Sequence, residues 1–172
     1  MLGFTESSKS VQNIRRTGEC VLNLPSSSLA GAVDRIAKTT GNNPVPADKA
    51  WLEFVHVADK FGRAGLTPIP STIVAAPRAQ ECDVQMEATV EQINPFGATN
   101  PALRTKIAAI ELRIVAVHVN PAIVNKDDPR RVDPDLWRPL IMSFWEFYGL
   151  GEKLAPSKLA ALPEELWRPP AT

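Results

Sequence analysis

The sequence predicts an α+β fold dominated by antiparallel β-structure, a barrel with a few helices at its periphery. Three observations carry this reading. Asp83 to Gln92 alternates apolar and polar residues, with Val84, Met86, Ala88 and Val90 on one face, the signature of a half-buried strand. Lys106 to Val119 is a longer strand with a bend on the way. There Ile110, Leu112, Ile114 and Ala116 alternate with Glu111, Arg113 and Val115. Sixteen prolines, many at segment borders, cut the chain into short elements joined by turns. Long strands with short helices between them fit an α+β barrel.

The remaining elements follow in order. Ser8 or Ser10 caps a short helix carrying Val11, Ile14 and Arg15, and Thr17-Gly18 stops it. Cys20 to Leu24 is an apolar strand closed by Pro25. Ser26 to Ser28 offer caps for a second helix with Leu29, Ala32, Val33 and Ile36 at helical spacing. Thr39 to Pro46 reads as a loop. Asp48 caps a third helix running through Trp51, Leu52, Phe54, Val55 and Ala58, ended by Gly62 and Gly65. Ser71 to Ala75 is a short strand ended by Pro77, and Asn94 to Pro101 is a loop. Asp127 to Asp135 is a charged loop, and Trp137 to Tyr148 is an aromatic segment more suited to a core than to a cofactor box. Residues 1–155 are expected to form one domain and 156–172 a C-terminal surface arm.

Composition excludes several classes. The 172 residues suit one domain, with 44% apolar and 22% charged residues. Lys plus Arg equal Asp plus Glu at 19 each, which argues against a nucleic-acid footprint. No apolar run is long enough for a membrane span and no signal peptide precedes the chain, so the expected location is the cytoplasm. Cys20 and Cys82 make neither a disulfide framework nor a metal cluster and read as reduced core residues. No metal site, dinucleotide fingerprint, P-loop or nucleophile–base pair is visible. His118, in an apolar strand, reads as a hydrogen-bonded core or interface histidine, and His56 as structural. Arg130-Arg131 reads as a solvated surface pair.

Several motifs in register resemble the flavin reductase family. Ser8 to Ile14, then Thr17-Gly18-Glu19 and Val21-Leu22-Asn23-Leu24, are similar to its K-D-T-x-x-N-I…T-G-E-F-V-V-N-L pattern. Asp59-Lys60-Phe61 and Ala64-Gly65-Leu66-Thr67 resemble D-K-F…A-G-L-T, and Glu81 and Glu87 fall where the family has E-S-P…L-E-C. Val117-His118-Val119 and the segments Val132 to Leu140 and Phe147 to Gly151 resemble its later motifs. Three departures stand out. The family carries a further N-terminal segment with the first barrel strands, and Met1 to Phe4 resemble the tail of one of them. The fold is therefore expected to lack those strands, or its start to be placed late. Lys9 and Ser10 replace the family's Asp and Thr, and no Gly-Asp-His triplet occurs between Phe96 and Lys106.

The resemblance implies an FMN-binding split β-barrel, a Greek-key antiparallel barrel with peripheral helices, which forms homodimers with flavin at the subunit interface. It implies an FMN-dependent NAD(P)H oxidoreductase, with FAD as a second flavin and the nicotinamide nucleotide as co-substrate. A non-catalytic or truncated flavin-binding barrel is the alternative. The hydroxyls of Ser7, Ser8 and Ser10 at a helix N-terminus, with the Lys9 ammonium, then become a site for the flavin phosphate. On spacing alone the same serines are helix caps. Tyr148 becomes a residue flanking the isoalloxazine ring. No catalytic residue is singled out, because the cofactor carries that chemistry.

Overall fold

The computed structural model describes residues 1–97, 99, 100, 102, 106–163 and 166. Strand β1 (Leu2–Thr5) leads into helix α1 (Lys9–Thr17), and strand β2 (Glu19–Leu24) leaves it. The helix ends where its sequence says it should. Ser8 is extended, and its Oγ accepts the Val11 N–H at 3.2 Å. Gly18 adopts the left-handed conformation at φ 71°, and its N–H donates to the Ile14 carbonyl. Val11 and Ile14 form the buried face.

The next stretch departs from expectation. After Pro25 a 3₁₀ turn (Ser27–Leu29) runs into a short α2 (Ala30–Asp34). Ser26 gives it no side-chain cap, because its hydroxyl pairs with Ser28 at 2.8 Å. Strand β3 (Thr39–Thr40) forms inside the expected loop. The long helix expected from Asp48 is not there. Only α3 (Ala47–Ala50) is helical, with Pro46 rather than Asp48 at its N-cap. Glu53 turns left-handed at φ 62°, with its carboxylate 2.9 Å from Lys38 Nζ. The chain then becomes β4 (Val55–His56), parallel to β3, with Val55 N–H donating to Lys38 O and Val57 N–H to Thr40 O. Long-range strand pairing thus overrides local helical spacing, and Trp51 and Leu52 are left exposed. A separate helix, α4 (Lys60–Ala64), is capped by Asp59, whose carboxylate accepts the Gly62 N–H, and is closed by left-handed Gly65.

Strands β5 (Pro68–Ile69) and β6 (Arg78–Ala79) pair antiparallel. The strand expected over Ser71 to Ala75 is instead a loop between them, because its N–H groups bond to side-chain carboxylates rather than to a neighbouring strand. Then come the two long strands, β7 (Val84–Pro95) and β8 (Ile107–Val119). They pair antiparallel with register shifts at Glu87/Ala88 and Val90/Gln92. The polar face of the alternation is not solvated: Gln85 and Glu87 are buried while Met86 is half-buried, because Ala79 and Cys82 cover Gln85 and the Thr72–Val74 backbone covers Glu87. Part of the Phe96 to Lys106 stretch, residues 98, 101 and 103–105, lies outside the described residues.

The main sheet has the order β1-β8-β7-β2. β1 pairs with the start of β8 (Leu2↔Ile110, Thr5↔Ile107), and β2 pairs with the start of β7 (Leu24↔Val84, Glu19↔Thr89). The sheet is an antiparallel half-barrel whose two edge strands are joined through α1. Val11 and Ile14 pack on Ala108 and Ile110, with Leu2, Phe4 and Val90 around them.

The aromatic segment forms a hairpin, β9 (Ile141–Ser143) and β10 (Glu146–Tyr148). Its two-residue turn places Phe144 and Trp145 at positive φ (49° and 72°), as the twist of such a turn demands. Both rings project outward, 95% and 90% exposed, and Tyr148 is exposed as well, which corrects the expectation of an aromatic core.

Two stability predictions follow from this packing. Ile110→Ala should cost about 2–5 kcal/mol, as expected for a fully buried isoleucine. Ser8→Ala should cost about 1 kcal/mol through the lost cap, while exposed Ser10→Ala should cost little. Equilibrium urea unfolding of the three variants measures each.

Candidate functional site

Two clefts meet at α1. The larger, about 610 Å³, lies between the two edge strands of the sheet. Leu2 and Phe4 of β1 form one wall, and Cys20 to Asn23 of β2 form another. Phe61 of α4 and the loop residues Ala75, Ala76 and Pro77 complete it. The smaller cleft, about 380 Å³, is lined by Lys9, Ser10, Asn13, Gly41, His56 and Lys60, among others. Ser10 and Asn13 line both, so the two are contiguous along one face of the helix. The first is mainly apolar, with Arg16 and Glu19 among its polar lining residues, and the second is cationic.

The cationic cleft is assembled from three segments that the sequence does not place together. Asn42 Nδ2 donates to the Ser7 carbonyl at 2.8 Å, which ties the loop after β3 to the turn before α1. Gly41 permits the approach: a Cβ there would stand 2.9 Å from Lys9 Cγ. His56 Nδ1 lies 3.1 Å from the Asn42 carbonyl. Lys60 Nζ donates to the Thr39 carbonyl at 3.2 Å. Burial, and then repulsion from Lys49, pull the Lys60 ammonium below the ordinary lysine range. A nearby anion would relieve that penalty. No carboxylate is among the residues lining this cleft.

Beside the larger cleft lies a buried carboxylate. Glu87 is fully buried, and its Oε1 accepts the Thr72 N–H (2.7 Å), the Thr72 hydroxyl (2.9 Å) and His118 Nε2 (2.6 Å). Its Oε2 accepts the N–H groups of Ile73 (2.7 Å) and Val74 (3.1 Å). Burial pushes the Glu87 pKa up, but these donors together outweigh it and hold the group well below the usual carboxylate range. The stability this carboxylate contributes is thus fully present above its unfolded pKa and is lost progressively as pH falls from there through the depressed folded value. The thiol of Cys82 is pushed up to about 11, chiefly by burial and then by Glu81 and Asp83, and that of Cys20 is raised by burial and Glu19. Neither is poised as a nucleophile at neutral pH.

The residues singled out from the sequence fall in different places. Ser8 is the N-cap, with its Oγ occupied by Val11 N–H. Ser7 offers its carbonyl, not its hydroxyl, to Asn42. Lys9 lines the cationic cleft, with its Nζ 3.5 Å from Gln12 Oε1, and Ser10 lines both clefts. Tyr148 lies on the C-terminal hairpin and lines neither cleft. His118 has the hydrogen-bond partner expected of a structural histidine. His56 also has a hydrogen-bond partner but stands on β4, not on a helix. Sequence reading missed Asn13, Gly41 and Lys60 as cleft residues. The signal for Lys60 was present in Asp59-Lys60-Phe61, whereas nothing local marks Gly41 as a neighbour of Lys9.

Comparison with known proteins fits this architecture. A model of the flavin reductase like domain matches residues 1–147. The uncharacterized protein YdfE of Bacillus subtilis (strain 168) is 32% identical over 154 residues, covering 90% of this chain and 71% of the relative. Among solved structures, nitrilotriacetate monooxygenase component B from Bacillus cereus superposes with a TM-score of 0.68 at 20% identity, over 90% of this chain and 70% of its own. Flavoredoxin of Desulfovibrio vulgaris (Miyazaki F) gives 0.64 at 21% identity, over 92% and 73%. An FMN-binding domain of a flavin reductases-like enzyme from Shewanella baltica OS155 gives 0.58 at 16%, over 90% and 73%. At these identities the structures speak to the fold, a split barrel, while the domain match covers most of the sequence. The chain belongs to the flavin reductase like domain family.

Proposed function

We propose that this chain binds FMN across the two contiguous clefts and works as an FMN-dependent NAD(P)H oxidoreductase of the flavin reductase type. The observation that carries the reading is the junction at Ser10 and Asn13. There a cleft of ligand size with mainly apolar walls adjoins a cationic one, the two sharing those residues in their linings. That pairing suits an amphipathic ligand with a flat ring system at one end and a phosphate at the other. Lys9, Ser10 and Lys60 would hold the phosphate, with Asn13 at the junction. Phe4, Phe61 and the Ala75–Pro77 wall would flank the ring. FMN, when bound, supplies a ring that accepts hydride from a nicotinamide nucleotide. The protein's own groups bind, orient and shield it from water. Ser7 and Ser8 support the turn rather than touch the ligand.

The chain is read as a homodimer, with NADH or NADPH as co-substrate and FAD as the alternative to FMN. Exposed Ile114 and Val117 on β8, with Met142, Phe144 and Trp145 on the hairpin, offer apolar surface for a second copy. Tyr148, on that hairpin, would reach a flavin only as part of such an assembly. No helix among the described residues is long and apolar enough to cross a membrane, which fits the cytoplasmic reading. The alternative, a flavin-binding barrel without catalysis, is favoured by one feature: among the described residues β1 and β2 are the edge strands of the sheet, on either side of the larger cleft.

Titration with FMN and with riboflavin tests the proposal. FMN should bind about tenfold or more tighter than riboflavin, the size of effect one charge-assisted phosphate contact supplies. Lys60→Gln should remove most of that preference and leave riboflavin binding unchanged. Bleaching of the visible flavin band by NADH or NADPH supports the enzyme, and a stable yellow complex supports the non-catalytic alternative. A protein that binds neither flavin sinks both.

A further inference from the structure

The loop from Ser71 to Pro77 poses a problem that the flavin reading does not absorb. It forms one wall of the larger cleft through Ala75, Ala76 and Pro77, yet among the described residues its N–H groups pair with no backbone carbonyl of a strand or helix. Four consecutive N–H groups, Thr72 to Ala75, point instead at carboxylates. Thr72, Ile73 and Val74 donate to Glu87, and Ala75 donates to Glu19 Oε1 at 2.7 Å. Consecutive N–H groups converging in this way form a nest, a concavity that binds an anion. Here the anion is the protein's own.

The two acids stand on the scaffold. Glu87 lies on β7 at the register shift, opposite Val21 of β2, and Glu19 opens β2 opposite Thr89. His118 on β8 donates into Glu87 from the far side, and Arg78 Nε stands 3.9 Å from Oε1. The Ser71 hydroxyl donates across the loop to the Ala76 carbonyl, closing it. Removing the carboxylate would leave up to five donors without their acceptor.

We propose that Glu87, assisted by Glu19, is a positioning residue of the cleft: as the internal anion of the Thr72–Ala75 nest it fixes the Ala75–Pro77 wall, and through that wall it sets flavin affinity. The part concerning affinity rests on the flavin reading above. Glu87 touches no ligand in this scheme and acts only through the loop. A glutamine has the shape of the glutamate but turns one acceptor into a donor, which opposes the N–H groups it must face.

Amide hydrogen exchange and FMN titration on the full chain test this with Glu87→Gln, Glu19→Gln and, as a control for general destabilisation, Ile110→Ala. In Glu87→Gln, exchange across residues 72–75 should rise at least about tenfold while β7 and β8 stay protected, as a local opening requires. Its FMN dissociation constant should rise by about tenfold, a loss consistent with disordering one wall of a site. Glu19→Gln should loosen Ala75 and weaken FMN by about threefold, and it carries the test if Glu87→Gln does not fold. Ile110→Ala, which sits in the core away from residues 72–75, should leave loop exchange unchanged at temperatures where it is folded. Unchanged loop protection in both glutamine variants would overturn the clamp. A loosened loop with wild-type FMN affinity would overturn the positioning role. If the wild-type chain binds no FMN, the flavin reading fails and the affinity claim with it, while the exchange measurement still decides whether the carboxylates hold the loop.

Discussion

The antiparallel pairing of β7 with β8 is the constraint on which the rest of the molecule hangs. β1 is held through β8, and β2 through β7. The two edge strands do not pair with each other, yet both wall the same cleft. A flat sheet of four strands would hold its edges apart. The register shifts at Glu87/Ala88 and Val90/Gln92 add local twist, which helps curl the sheet into half a barrel with α1 bridging the opening. The first of these shifts also lies beside Glu87, which stands next to the Ser71–Pro77 loop. One irregularity in one strand pair therefore bears on both the shape of the cleft and its far wall.

What the sequence made legible was whatever depends on neighbours along the chain. Ser8 and Gly18 bound α1 because capping chemistry is local. The runs in β7 and β8 declare themselves because their burial alternates over a long stretch. The segment after Asp48 misled for the opposite reason. Trp51, Leu52, Val55 and Ala58 have helical spacing, but the chain after Glu53 pairs with Thr39 and Thr40, a partner that the spacing does not reveal. Ser71 to Ala75 misled in the same way, since its hydrogen-bond acceptors sit on Glu87 and Glu19, strands away in the fold. The hairpin aromatics read as core by composition, yet the turn geometry at Phe144 and Trp145 turns both rings out.

The candidate site was legible only in part. The turn before α1 was recognisable, and Lys9 and Ser10 do face a cleft. Its cationic partner Lys60 comes from α4, brought over by the pairing of β3 with β4 and the contact of Gly41 with Lys9. A loop that needs a glycine so that a lysine stem can pass leaves no pattern in the sequence, because the glycine's partner lies more than one element away.

The molecule handles anions in two ways, and the contrast bears on where a phosphate could sit. In the Thr72–Ala75 nest the backbone N–H groups are already satisfied by Glu87 and Glu19, so that concavity has no capacity left for a ligand. At the N-terminus of α1 the Val11 N–H is taken by the Ser8 hydroxyl and the Gln12 N–H by the Ser8 carbonyl. The helix end is thus partly capped from within, and its dipole alone would attract a phosphate weakly. The side chains facing the smaller cleft are different. Lys60 is half-buried, with its Nζ donating to the Thr39 carbonyl, and Lys9 and Ser10 stand exposed beside it. An anion placed there would meet two ammonium groups whose charge no lining carboxylate offsets. On the proposed reading the phosphate falls to Lys9, Ser10 and Lys60, while the observed capping belongs to Ser8, so the two interpretations of one serine-rich turn apply to different residues of it.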